Sequence, residues 1–358
     1  MYSLILECKV ITPMFMAGTD GKTPELRPSE FKGMMRFWWR ALKANNDIER
    51  LRKEENEIFG GTGKGEGKSR VWLKIPEYNF SIGNDIRIEI SGYNGIKYLY
   101  YSTFSLKNKG EPIIRSYINP GGTFKINLCS FEEQSFNRSL ASLWLAIYLG
   151  GFGTRARRGA GNIAIEEIND RLSEQSELNF ICNADSKKDL KIWLSQNIGV
   201  IKSIIGQANG TSNYSVLKKG RILIFDPKDS WKDALNFLGE KFKEFRNQNK
   251  SRIFETAVFG MPIMHSRFRV RIVPYDNRGE RVLDRWSSPL FIRILKGEKK
   301  KYFPILTQLS PGGISFVGKE ESIKKGNCGK KVKAEFKTDL LYEFIYWLKR
   351  FESEEIEL

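Results

Sequence analysis

SLASLWLAIYLGGFGTRARRGAGNIAIEEI, residues 139–168, runs from an apolar helix through a glycine–arginine loop into a strand. The helix is expected from about Ser135 to Leu149, and the closing strand starts at Asn162. Between them, Gly150, Gly151, Gly153, Gly159 and Gly161 share one short loop with Arg155, Arg157 and Arg158. Glycine lets backbone come close to a ligand and take positive φ. Arginine brings a planar, permanently charged fork that suits phosphate. The loop is therefore expected to grip a polyanion, with the three arginines on its phosphates. The bland alternative is that the glycines only let the helix turn tightly against a sheet.

Working outward from that loop gives the domain. Residues Leu4 to Ile11 read as a strand, and Ser29 reads as the N-cap of a helix. A second helix, NDIERLRKEENEIFG, ends at Gly60. Strands are expected at RVWLKIP, DIRIEI, KYLYYSTFSL and GTFKINLCSF, before the apolar helix. Strand, helix, strands, helix, strand is the ferredoxin-like β-α-β-β-α-β order with insertions.

A polar middle follows, with a helix around SKKDLKIWLSQNIGVIKSIIG, and then a second set. GRILIFDP, DSWKDALNFLGEKFKEF, RFRVRIVP, PLFIRIL and KTDLLYEFIYWLKRFE read as strand, helix, two strands and helix. The halves echo each other: Phe59-Gly60 and Phe259-Gly260 end helices, and Ser69-Arg70 and Ser266-Arg267 open strands. The expected fold class is α+β, two ferredoxin-like units in tandem. The boundaries fall at 1–170, 171–215 and 216–358.

The chain has 358 residues, ample for two domains, with 59 Lys+Arg against 42 Asp+Glu, a formal net charge of +17. That excess points to phosphates or anionic lipid. The longest apolar run, Leu143 to Phe152, is far short of the roughly 20 residues a membrane span needs, so no membrane partner is expected. The first residues read as a strand and loop, not a signal peptide. Four scattered cysteines without a CxxC pair fit a reducing cytoplasm and argue against a zinc ribbon. The single histidine, His265, rules out two-histidine metal motifs and paired-histidine acid–base catalysis within this chain. No cofactor or metal is expected. Asp20, in AGTDGK, reads as a turn residue.

On a helical wheel, PSEFKGMMRFWWRALK places Lys32, Arg36, Trp39, Arg40 and Lys43 in one arc with no acid among them. A surface helix normally mixes signs, so this face is expected to meet phosphates, with Trp39 available to stack on a base. GGTGKGEGKS, residues 60–69, supplies Lys64 and Lys68, with Arg70 next. Its Gly67-Lys68-Ser69 end tempts a nucleotide-hydrolysis reading. The stretch follows a helix and leads into a strand, where a phosphate loop needs strand, loop, helix. In HSRFRVRI, period two puts Arg267, Arg269 and Arg271 on one strand face. Arg285 adds a further cation beside Trp286.

LRPSEFKGMMRFWWRAL, EIFGG, GGFGTRARRGAGN and DRWSSPLFIRI together resemble the RAMP superfamily (repeat-associated mysterious proteins) of CRISPR systems. Within it they look like the first-numbered subunits of the Cmr, or type III-B, RNA-guided effector complexes. The resemblance covers both halves of the chain. It implies two packed ferredoxin-like (RRM-like) domains in a ribonucleoprotein that carries a CRISPR guide RNA and cuts complementary target RNA. It implies a place near the guide's 3′ portion, where the subunit helps capture single-stranded target RNA beside other Cmr subunits. Cutting belongs to a different subunit. The residues alone say RNA or polyanion binder, not an enzyme. The alternative is a metal-independent endoribonuclease processing CRISPR RNA, with His265 as its candidate acid or base.

Overall fold

The structure, a computed structural model, describes residues 1–63, 66–104, 106–108, 111–169, 177–207, 212, 214–252, 254–261, 263–265, 270–275, 285–311, 317–324, 327–328, 333–335 and 337–358. It is a mixed α+β fold whose named strands pair antiparallel.

The first sheet contains β1 (Tyr2–Val10), β2 (Val71–Lys74), β3 (Thr123–Ser130) and β4 (Ile163–Asn169), in the order β2-β3-β1-β4. Helices α1 (Pro28–Lys43) and α2 (Ile48–Phe59) lie between β1 and β2, and α3 (Asn94–Tyr100) and α4 (Glu133–Tyr148) come later. Along β1 and β3 every second residue is buried. One face is therefore core and the other meets solvent. Leu4, Leu6, Ile126 and Leu128 point into a core shared with α1 and α4. Leu143 to Ile147 of α4 are buried without a break, because that helix is also covered by α5 (Lys187–Ile205).

The second sheet contains β5 (Val216–Ile224), β6 (Leu290–Lys296), β7 (Tyr302–Ser310) and β8 (Glu354–Glu357), in the order β6-β7-β5-β8. Helix α6 (Trp231–Gln248) follows β5, and α7 (Asp339–Leu348) precedes β8. This sheet is buried on both faces: Ile222, Ile224 and Phe291 join the first core, while Leu223, Ile292 and Leu306 join a second core with α6 and α7. Near-continuous burial along β6 and β7 is the signature of that position.

Four local expectations are corrected. DIRIEI forms a helical turn, Ile86–Glu89, capped by Asp85. KYLYYSTFSL supplies α3 and the 3-10 turn Tyr101–Thr103. Arg27 stands at the N-cap of α1, with Pro28 in the first turn, so Ser29 is already helical. In the second half the strand RFRVRIVP is not the counterpart of β2. Val270–Tyr275 pairs with Ile263–His265 and Val317–Lys324 in a separate sheet, and β6 takes the place of β2 in the strand order. Asp20 is a turn residue: its carboxylate accepts the Lys22 and Thr23 N–H groups and the Thr23 hydroxyl, which hold it down at about 2.

Candidate nucleic-acid interface

The loop at 150–161 turns its arginines inward. Arg155 donates to the Leu99 carbonyl and lies over the Tyr101 ring at 5.1 Å. Arg157 donates to the Ser288 carbonyl, between the rings of Phe37 (5.0 Å) and Phe291 (4.4 Å). Arg158 donates to the Phe259 and Leu290 carbonyls at 2.9 and 3.3 Å, over Phe242. Their described partners are carbonyls and rings, not carboxylates, and burial pushes all three guanidiniums below their ordinary pKa. In this structure, where phosphates were expected, Arg155 ties the loop to Leu99 and Tyr101 at the end of α3, and Arg157 and Arg158 tie it to β6 and α6. The glycines serve the same end. Gly161 has φ +61, and a Cβ there would sit 1.9 Å from the Phe152 carbonyl oxygen, so the approach is chain on chain. Arg293 on β6, read in the sequence only as strand, completes the seam. It is 0% exposed and donates to the Gly150 and Ile163 carbonyls at 3.2 and 2.8 Å.

The basic face of α1 is also spoken for. Arg36 and Arg40 both bind the buried Glu55 carboxylate of α2, at 2.9 and 2.6 Å, and Lys43 binds Glu54 at 2.9 Å. Arg36 reaches on to the Phe59 and Gly60 carbonyls. Lys32 donates to the Ser69 hydroxyl at 2.5 Å, and burial lowers its pKa. Trp39 is 1% exposed and belongs to the core, so it presents no ring to a base. The mixing of signs missing along α1 is supplied across space by α2.

A cleft opens where α2 meets residues 60–69. Its volume is about 530 Å³, and Arg36, Arg52, Glu55, Glu66, Lys68 and Ser69 contribute to its walls. From its rim an outward row continues along β2. Lys68, Arg70, Trp72 and Lys74 are exposed while Val71 is buried. Trp72 (42% exposed) meets Phe131 (72% exposed) edge to face, ring centroids 5.5 Å apart. Arg70 holds Glu132 at 2.9 Å. Both partners are about half exposed, and an ion pair of that kind costs ~0–1 kcal/mol to open. Exposed aromatic area beside spaced cations is what unpaired nucleic acid needs: faces for bases and charges for the backbone. Trp72, Phe131 and Arg52 were not singled out by the sequence reading. The available signal was KSRVWLK, where period two separates Lys68, Arg70, Trp72 and Lys74 from Val71 and Leu73.

The other expected cations scatter. Arg285 is exposed, and its neighbour Trp286 is buried in a bridge to Met261. Lys64, Arg267 and Arg269 lie outside the described residues. Arg271 stands opposite Glu321, and His265 opposite Val270, in backbone register; their side chains are not among those described. Among the described residues no cluster of three His, Cys, Asp or Glu is placed to hold a metal ion, and no helix is long and apolar enough to cross a membrane.

Comparison with known proteins adds the lineage. A model of the RAMP superfamily matches residues 7–164. A Pyrococcus furiosus protein named CRISPR system Cmr subunit Cmr1-2 is 36% identical over 189 residues, 48% of this chain and 100% of that protein. Cmr1-1 of the same organism is 28% identical over 292 residues, 79% of this chain and 80% of the relative. The crystal structure of Cmr1 from Pyrococcus furiosus in its apo form superposes with a TM-score of 0.68 at 22% identity, covering 99% of this chain and 98% of that one. A chain of the type III-B Cmr-beta complex bound to cognate target RNA shares the fold with a TM-score of 0.55 at 13% identity, covering 86% and 94%. Matched over the whole length of one such relative and most of another, the chain belongs to the RAMP superfamily, among its Cmr1 subunits.

Proposed function

We propose that this chain is a non-catalytic, single-stranded RNA-binding subunit of a type III-B CRISPR effector complex, which helps capture target RNA near the 3′ end of the guide. The observation that carries the reading is the exposed Trp72–Phe131 pair set in a row of cations, Lys68, Arg70 and Lys74. Stacking and phosphate contacts are indifferent to sequence. That suits a subunit in a complex whose guide does the reading. The Cmr1 relatives, and a chain of like fold in the Cmr-beta complex bound to target RNA, support the assignment. The frame is two ferredoxin-like units, divided at 1–170, 171–215 and 216–358, a reading supported by the matching strand orders of the two sheets.

The test is a titration of labelled single-stranded RNA into the purified chain, each sample split between a native and a denaturing gel. The expected result is a salt-sensitive shift with intact RNA, weakened in a Trp72→Ala/Phe131→Ala variant. Discrete, metal-independent cuts that vanish in His265→Ala would overturn the non-catalytic reading. A shift indifferent to the aromatic pair would overturn the assigned surface.

A further inference from the structure

One carboxylate stands where a polyanion is expected. Glu66 folds back over its own loop. Its Oε2 accepts the Gly63 N–H at 2.5 Å, and its Oε1 accepts the Arg52 Nε–H at 3.0 Å. The Glu66 side chain is 18% exposed, whereas Arg52 is 66% exposed. The loop is shaped around that carboxylate. A Cβ at Gly61 would lie 2.1 Å from the Glu66 Oε2, so a side chain there would push the carboxylate out of this position. A backbone N–H and a guanidinium converging on one oxyanion, at the edge of a 530 Å³ cleft that Arg36 and Lys68 also line, form an anion seat. Gly63 and Arg52 hold the Glu66 carboxyl below its ordinary pKa, so the seat stays charged throughout the neutral range. A carboxylate and a phosphodiester present the same feature to these donors: two oxygens sharing a negative charge.

We propose that Glu66 is a resident stand-in for phosphate, and that a phosphodiester of bound single-stranded RNA displaces it from Gly63 and Arg52. The proposal rests on the RNA-binding reading above and adds an intramolecular competitor to it. Every RNA phosphate entering the cleft must first move Glu66 aside, so the carboxylate weakens binding of isolated strands at this end of the Lys68–Lys74 row. A strand already anchored on Trp72 and Phe131 arrives at the seat at high local concentration and prevails.

The experiment measures fluorescence anisotropy of labelled single-stranded RNA with wild type, Glu66→Gln, Arg52→Ala and the double variant, at low and moderate salt. Glu66→Gln keeps the size of the side chain and removes the competing charge. It is expected to tighten RNA binding by roughly three- to tenfold at low salt. Arg52→Ala is expected to remove that gain when combined with it. If thermal melts show Glu66→Gln misfolded, Glu66→Asp serves in its place: it keeps the charge but withdraws it by one methylene, and a smaller gain is expected. Equal or weaker binding in a folded Glu66 variant, with wild type still binding RNA, overturns the stand-in. Wild type that fails to bind RNA overturns the RNA-binding reading instead. A parallel arm follows thermal stabilisation by inorganic phosphate. A gain from the Glu66 variants there, without one for RNA, overturns the phosphodiester assignment and leaves a small-anion seat.

Discussion

Two loops of this chain are rich in glycine and basic residues, and they face opposite ways. At 150–161 the guanidiniums lie over Tyr101, Phe37, Phe291 and Phe242 and donate to main-chain carbonyls. At 60–69 Lys68 and the neighbouring Arg52 and Arg70 reach solvent around a cleft. Glycine with arginine thus states that something comes close, without stating what. The deciding neighbours are aromatic. Around 150–161 rings and carbonyls replace water for each guanidinium, from the first half for Arg155 and largely from the second for Arg157 and Arg158, a fit Arg makes because it is weakly hydrated and planar. Around 60–69 the nearby rings, Trp72 and Phe131, stay exposed, Arg70 and Arg52 hold the carboxylates of Glu132 and Glu66, and Lys68 reaches solvent.

The largest expected effect tests the buried loop. Arg158→Ala strips two carbonyls of their donor and opens space over Phe242, and should lower unfolding stability by about 2–4 kcal/mol in urea titrations. RNA affinity per folded molecule should stay unchanged. A stable variant that has lost RNA would break the comparison. Next, Trp72→Ala/Phe131→Ala should weaken RNA by about 1–3 kcal/mol per base stacked while leaving Tm in place. Replacing Lys68 and Arg70 by Ala should flatten the dependence of log K on log salt by ~0.7 for each phosphate left without its cation, read from anisotropy at several salt concentrations.

The smallest effect is one of pH. Arg252 pairs with Glu343 at 2.6 Å, which holds that carboxyl below its usual range. A depressed carboxylate contributes stability above its unfolded value, about 4.3, and that contribution fades as pH falls through the folded value. Acid unfolding of wild type and Glu343→Gln should therefore converge at low pH. The penalty of Arg158→Ala should persist there, because carbonyls and rings do not titrate.

Much of the fold was legible because burial follows period. β1 and β3 alternate, and α4 is buried all round from Ser139 to Tyr148. The failures are where two periods overlap. Ile86, Ile88 and Ile90 look like alternation, yet Ile86 and Ile90 are buried at helical spacing and Ile88 is 78% exposed. The candidate site was less legible. The acids that neutralise α1 sit on α2, and the rings that take Arg157 and Arg158 come from as far away as β6, so neither is visible in the stretch being read. Lys68 and Arg70 were named as cations of and beside the glycine loop, and the row they form with Trp72 and Lys74 went unread although KSRVWLK carries its period of two.

The seam through Arg157, Arg158 and Arg293 also sets a timetable for synthesis. The Ser288, Leu290 and Arg293 partners follow the loop and the start of β4 by 131, 132 and 130 residues. At ribosomal speeds that is a wait of roughly 6–26 s. Until then the nascent first half carries bare guanidiniums and uncovered rings at Phe37 and Trp38. The N-terminal unit therefore emerges before the seam contacts that complete it can form.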